Sequence, residues 1–334
     1  MKKSFFYFAI TLAVFLLSAC VSNKSRGYPC VEISNGKITA VVATETGRND
    51  NYYRATRFDW SGQIYQLECG GHSYYGEFFL NYDPYFHDTV CGPAEEFEQI
   101  GYNDVKINEG FVKIGVGLLK KTDDTPYNIR RLYKIIDNGK WTTEVGKNFV
   151  SYKQELNSNV ASYIYTKKIE LVENSATMLI KHSIKNTGKN KISTNTYCHN
   201  FFMLDEQPSG KAISIKLPFT PTDGDFLPQI KGYKIVRDAS ILKDGYLRLT
   251  RTLVEPERIL YRDISGANKV ENNDFRLENS DTGAAVRIRG NRPLSKLTLW
   301  SNARTHCIEP YIDINIAQNE EFSWETRYDF YSTK

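Results

Sequence analysis

Along most of this chain apolar and polar residues alternate one for one, and that period of two makes extended strands with one buried face the main building material. Val112, Ile114, Val116 and Leu118 fall on one side of such a stretch, with Lys113, Gly115 and Gly117 on the other. Met178, Ile180, His182 and Ile184 oppose Thr177, Leu179, Lys181, Ser183 and Lys185 in the same way, which places His182 on an apolar face as a packed, hydrogen-bonded core histidine. Further strand-like runs lie near 127–136, 148–156, 161–172, 192–202, 211–217, 231–237, 283–289, 295–302, 308–316 and 322–331. Turn-forming clusters punctuate them, among them Asp123-Asp124-Thr125-Pro126, Asn138-Gly139, Asn186-Thr187-Gly188, Asp223-Gly224 and Asp281-Thr282-Gly283. Past the N-terminus no segment sustains a 3.6-residue apolar period, and Pro93–Gln99 is assigned at most one short helical turn. The pattern predicts an all-β domain of large antiparallel sheets with very little helix.

The N-terminus reads differently. Met1–Ala19 opens with Lys2 and Lys3, runs apolar from Phe5 to Leu17 and ends in small residues, the layout of a cleaved export signal. Its apolar part falls short of the roughly 20 residues that span a bilayer. Leu17-Ser18-Ala19-Cys20 resembles a bacterial lipobox, so cleavage before Cys20 and a lipid on Cys20 are expected. That reading divides the chain into a signal (1–19), a polar tether (20–30) and one domain (31–334). It places the protein on a membrane through its lipid, with the periplasmic face of the outer membrane as the default and surface exposure as the alternative. The formal charge is +4, and +2 once Lys2 and Lys3 are removed, which gives no reason to expect a nucleic-acid partner. Cys30, Cys69, Cys91, Cys198 and Cys307 remain, an odd number, so at least one stays unpaired. No C-x-x-C, H-x-x-x-H or H-E-x-x-H spacing occurs, and neither a metal centre nor a cofactor is expected.

Alternation also sorts the residues able to do chemistry. Along 308–316, Glu309, Tyr311, Asp313 and Asn315 share one face, and Ile308, Pro310, Ile312, Ile314 and Ile316 the other. Along 195–202, Tyr197, His199 and Phe201 lie together, with Cys198 opposite. On spacing alone, a solvated strand face and a histidine packed among aromatics are the commoner situations.

At these residues the sequence resembles the galactose mutarotase-like (aldose 1-epimerase) superfamily, in particular its hexose-6-phosphate mutarotase-like branch. Lys185-Asn186-Thr187-Gly188 leading to His199-Asn200-Phe201-Phe202 is similar to the family's turn and active-site histidine. Leu297-Thr298-Leu299-Trp300 followed by Cys307-Ile308-Glu309-Pro310 is similar to the strand and Glu-Pro pair bearing its acid, and Phe322-Ser323-Trp324 to Tyr328-Asp329-Phe330 to its last strand. The likeness is strongest over 174–331 and weaker over 31–173.

The resemblance implies a β-supersandwich and an isomerase that interconverts aldose anomers, with Glu309 as base and His199 as acid. It implies a carbohydrate substrate held by an arginine, for which Arg54 and Arg57 are candidates, and by a second histidine, His72 or His87. Asp313, on the face of Glu309, either orients sugar or sits in solvent. If His199 and Glu309 face one cleft, Cys198 points away from it and Cys307 toward it, and no disulfide between them is expected. Two other readings stand beside the enzyme. One is a non-catalytic carbohydrate-binding lipoprotein; the other is a sugar lyase or hydrolase on the same fold, with Glu95 and Glu96 available as further carboxylates. Long loops over 63–104 and 220–272 suggest room for an oligosaccharide.

Overall fold

The structure is a computed structural model that describes residues 29–44, 52–79, 81–221, 232–265 and 268–334. The expected export signal, Cys20 and most of the tether lie outside the described residues, as does the Asp223-Gly224 turn. Cys30, assigned to the end of the tether, is already in a strand, Cys30–Ser34, opposite Ala43.

The fold is a β-supersandwich, nearly all β, built on two large sheets. The larger has ten strands, centred on Glu321–Ser332, Thr177–Asn186 and Tyr163–Leu171, all paired antiparallel. The smaller has six, in the order Lys234–Ile235, Glu257–Ile264, Lys296–Ser301, His306–Ile316, Ile192–His199 and Ala94–Phe97. Only its edge pair, Lys234–Ile235 with Glu257–Ile264, is parallel. The main core lies between the sheets, where Leu297, Leu299, Ile308 and Ile314 from the smaller sheet meet Ile180, Ile184, Val286 and Tyr328 from the larger. The other face of the smaller sheet carries a second apolar cluster, in which Phe201 and Cys307 pack with Tyr53, Phe58 and Trp60. The smaller sheet is therefore covered on both sides, and its second face is where the candidate site forms.

Charges buried in this assembly are paired. Lys167, fully buried, bonds Glu95 and lies 3.8 Å from Asp59. His182 Nε2 is 3.1 Å from the other Glu95 oxygen, and its ring stacks on Trp324 at 4.5 Å. His182 is thus the core histidine its apolar strand face implies, and burial pushes its pKa down.

Several local expectations differ. Pro93–Gln99 holds no helical turn but the strand Ala94–Phe97, an edge strand with Glu95 facing Lys167 and Glu96 facing the opposite way, toward Arg57. Residues 112–118 are not one strand: Gly110–Lys113 reverses onto Gly117–Lys120, with Gly115 at φ +78°. A Cβ at Gly115 would lie 2.6 Å from the Asp59 carboxylate, so glycine is required there. Alternation ran through the turn because Val112, Ile114 and Val116 are all buried. Within 127–136 only Ile135 onward is extended, Tyr127 and Tyr133 being stacked at 5.4 Å in an aromatic loop. The segments 63–104 and 220–272 are not plain loops, since they contain Ile64–Cys69, His72–Tyr75, Ser240–Lys243, Tyr246–Leu249 and Glu257–Ile264.

Candidate active site

A strand register creates the site. Ile192–His199 and His306–Ile316 pair antiparallel from Ile192 opposite Ile316 to Thr196 opposite Ile312. Three more steps along that register bring Tyr197 across from Tyr311 and His199 across from Glu309, where facing Cβ atoms are roughly 5 Å apart. Pro310 has no N–H to extend the ladder here, so side-chain contacts hold the two strands together instead. Tyr197 and Tyr311 stack at 4.3 Å, and His199 Nε2 stands 3.2 Å from a Glu309 carboxyl oxygen.

Asn200 anchors the histidine. Its Nδ2 donates to the Ile308 carbonyl at 2.7 Å, and its Oδ1 accepts from the Tyr328 hydroxyl at 2.9 Å, which ties the strand end to both sheets. Gly92 passes beneath, where a Cβ would come within 2.0 Å of the Asn200 carbonyl oxygen. Phe201 then adopts φ +45°, its N–H meets Cys307 Sγ at 3.2 Å, and its ring folds back to stack on His199 at 3.8 Å. Phe58 and Trp300 meet the imidazole edge-on at 5.7 and 5.4 Å.

This aromatic box decides the protonation. Burial, helped by the nearby Arg57 charge, lowers the His199 pKa to about 3. Burial likewise raises Glu309 to about 8, against the pull of Arg57. At neutral pH the resting pair therefore holds one exchangeable proton on the Glu309 carboxyl beside a neutral imidazole. That is the reverse of the acid and base states expected from ordinary pKa values.

Arg57 forms the next wall. It bonds Asp88 at 2.5 Å and Glu96 at 2.7 Å, contacts the Tyr197 hydroxyl at 3.3 Å and lies over the Phe58 ring. Despite burial, Arg57 and His87 keep Asp88 ionised well below the usual carboxylate range, and Arg57 and Lys113 hold Glu96 at about 2. The resulting cleft encloses about 180 Å³, less than the roughly 300–1,000 Å³ common for sites of drug-sized ligands.

Of the residues singled out from sequence, Glu309, His199 and Arg57 meet in this cleft. Arg54 does not: it is buried between the rings of Tyr52 and Trp60. His72 lies on a separate surface, bonded to Asp205 at 3.0 Å and Ser332 at 3.3 Å. His87 stands behind the cleft wall, with Nε2 3.2 Å from Asp88. Asp313 is exposed and off the cleft, two residues past Tyr311, where the strand face opens to solvent. Glu95 points into the buried lysine network and Glu96 is spent on Arg57, Lys113 and Tyr197, so neither stands free beside Glu309.

Cys198 and Cys307 fall on opposite faces, and no disulfide joins them. His199, Cys307 and Glu309 nevertheless bring three ligand atoms within 4.8 Å of one another, a grouping with no local sequence spacing because it spans two strands. Burial raises the Cys307 thiol pKa, so a cation would first have to displace protons from both thiol and carboxyl. Tyr197 and Tyr311 line the cleft beside His199 and Glu309 as their strand faces imply, and Trp300, Asp88, Tyr233, Arg130, Arg258 and Arg262 join them with no sequence signal that assigned them to a site. Arg258, Leu260 and Arg262 follow the period of two that reveals His199 and Glu309.

No family profile and no curated protein sequence matches the chain. Solved structures do match its fold. A galactose mutarotase-like protein from Lactobacillus casei ATCC 334 is 10% identical with a TM-score of 0.53, over 90% of this chain and 100% of its own. A GalM/aldose epimerase homologue from C. elegans is 12% identical at 0.53, over 91% and 99%. A galactose mutarotase-like protein from Clostridium acetobutylicum is 14% identical at 0.51, over 91% and 95%. These likenesses define the class of fold, a galactose mutarotase-like sandwich, and a fold of this class does not by itself fix the chemistry.

Proposed function

We propose that this protein interconverts the anomers of a sugar by acid–base ring opening. The observation that carries the reading is the contact between His199 and Glu309, 3.2 Å apart and both buried in an aromatic box. Mutarotation needs one group to take the proton from the anomeric hydroxyl while another gives a proton to the ring oxygen. The ring C–O bond then breaks as the C1 carbonyl forms, the C1–C2 bond turns, and closure on the other face returns both protons. In the resting state His199 is the group free to accept and Glu309 the group able to donate. Exchange of the proton within the pair gives the opposite assignment, and both assignments use the same singly protonated pair. Trp300 and Phe78 supply apolar faces for the sugar, and the Arg57 and Tyr197 group supplies polar ones.

Among the described residues lining the cleft, Asp88 is the other carboxylate, and Arg57, His87 and the Tyr233 hydroxyl occupy its oxygens. A hydrolase needs a second carboxylate able to reach water or sugar, so the isomerase reading is preferred to it. Export and lipid attachment through Cys20 belong to the same proposal and rest on the sequence motif.

The test is anomeric exchange, followed by NMR on freshly dissolved sugars, for the wild-type chain and the Glu309→Gln and His199→Ala variants. Acceleration lost in both variants while their far-UV spectra stay unchanged supports the proposal. Binding without acceleration in the wild-type protein would instead leave a sugar-binding module.

A further inference from the structure

The mouth of the cleft carries more positive charge than the rest of the chemistry uses. Arg258 and Arg262 project from the same face of Glu257–Ile264, with Leu260 between them, and Arg130 approaches from the loop before Ile135. Arg130 and Arg258 bracket one aromatic ring, their guanidinium carbons 5.1 and 4.9 Å from the centre of Tyr233. The Tyr233 hydroxyl is held in turn by Asp88 at 3.1 Å, so the platform is fixed to the wall of the site.

The charge balance is one-sided. Arg57 is neutralised by Asp88 and Glu96. Arg258 shares one nitrogen with Glu255 at 2.6 Å and the Glu257 carbonyl at 2.8 Å, while its Nε is buried without an acceptor. The guanidinium groups of Arg130 and Arg262 have no hydrogen-bonding or ion-pair partner among the described residues. Glu309, protonated in the resting state, does not offset them. A formal charge of only +4 on the whole chain makes this a local concentration and not a general basicity. Guanidinium groups left open around an aromatic platform at a cleft mouth are suited to a planar anion taken up in forked hydrogen bonds.

We propose that the substrate is an acidic sugar, a uronic acid or an oligosaccharide ending in one, whose carboxylate is received by Arg262 and the Arg130–Tyr233–Arg258 platform. The inference deepens the sugar-isomerase reading and rests on it for the assignment of the cleft.

The test measures binding and turnover separately on the full chain, with galacturonate, glucuronate, galactose, glucose and glucose 6-phosphate as probes. Binding is read by calorimetry and by quenching of tryptophan fluorescence, in the wild-type protein and in Glu309→Gln. The uronates should bind about tenfold or more tightly than the matching neutral hexoses. That margin should shrink as salt rises from about 10 mM to about 0.5 M, while hexose binding barely changes. Arg262→Gln and Arg130→Gln, both at exposed positions, should each cut the uronate-to-hexose ratio roughly three- to tenfold. Equal binding of uronate and hexose, tighter binding of glucose 6-phosphate than of either uronate, or a ratio untouched by both arginine variants overturns the proposal. A uronate preference that persists in Glu309→Gln, with no anomeric exchange of any sugar by the wild-type chain, upholds it while refuting the isomerase reading.

Discussion

Replacing Glu309 with Gln preserves the shape of the side chain and abolishes its titration, so the difference in stability between the two proteins isolates a single carboxyl. Burial raises that carboxyl from 4.5 to about 8 in the folded protein. The folded state therefore binds the proton more tightly than the unfolded chain, and between those two values the free energy of unfolding falls as pH rises. Each pKa unit corresponds to about 1.4 kcal/mol, so the interval amounts to roughly 5 kcal/mol, an upper figure because the surroundings of a buried charge relax. Relative to Glu309→Gln, the wild-type protein should lose several kcal/mol between about pH 5 and about pH 9, with little difference left below the lower value. Urea unfolding of both proteins across that range, followed by tryptophan fluorescence, reads the effect directly. Parallel stability curves would show that Glu309 ionises in the fold as it does in water, and the argument from the aromatic box would fail.

Other consequences can be checked in the same preparations. Anomeric exchange should hold steady through neutral pH and decline as pH rises through about 8, where the His199–Glu309 pair loses its proton; a rate still climbing above that value would count against the pair. Asn200→Leu takes the side-chain donor from the Ile308 carbonyl and leaves the Tyr328 hydroxyl only the Cys198 sulfur, costs about 2–5 kcal/mol by urea unfolding, and slows turnover of the folded fraction by misplacing His199. Gly92→Ala forces a Cβ against the Asn200 carbonyl and should destabilise by at least about 2 kcal/mol, visible as a lower thermal midpoint. Lys167→Met strands Glu95 and Asp59 and should cost about 3–5 kcal/mol at neutral pH, with a smaller deficit in acid as those carboxylates take up protons.

Alternation made the framework legible because most strands here bury one face and solvate or functionalise the other. It failed where both faces are covered or the chain turns without changing its pattern. Ala94–Phe97 is buried at every position, so its Glu95 and Glu96 gave no periodic signal, and Pro93 invited a helical start. Val112, Ile114 and Val116 stay buried on both sides of a hairpin turn, which hid the reversal at Gly115. Within the site, His199 and Glu309 stood out through family resemblance, while Tyr197 and Tyr311 follow from them by two residues of strand. Arg258 and Arg262 carry the same signal on Glu257–Ile264, inside the stretch 220–272 that reads as a loop. Asp88, Arg130 and Tyr233 reach the cleft from connecting segments, where no local period announces position. Choosing among Arg54, Arg57, His72 and His87 needed three-dimensional placement, since each sits in a similar aromatic and polar run.

The two-sided smaller sheet also bears on how such a protein can change. Positions 258, 260, 262, 298, 300, 309 and 311 look into the cleft, whereas their immediate neighbours 259, 261, 297, 299, 308 and 312 belong to the main core. Substitutions in the first set change the lining of the cleft, and those in the second change the packing of the main core, although each pair of neighbours is joined by a single peptide bond. A library that randomises only positions 258, 262 and 300 would vary the lining of the cleft while leaving the main core untouched. The same separation gives lineages carrying this sheet a route to new specificities that needs no compensating repair of the core.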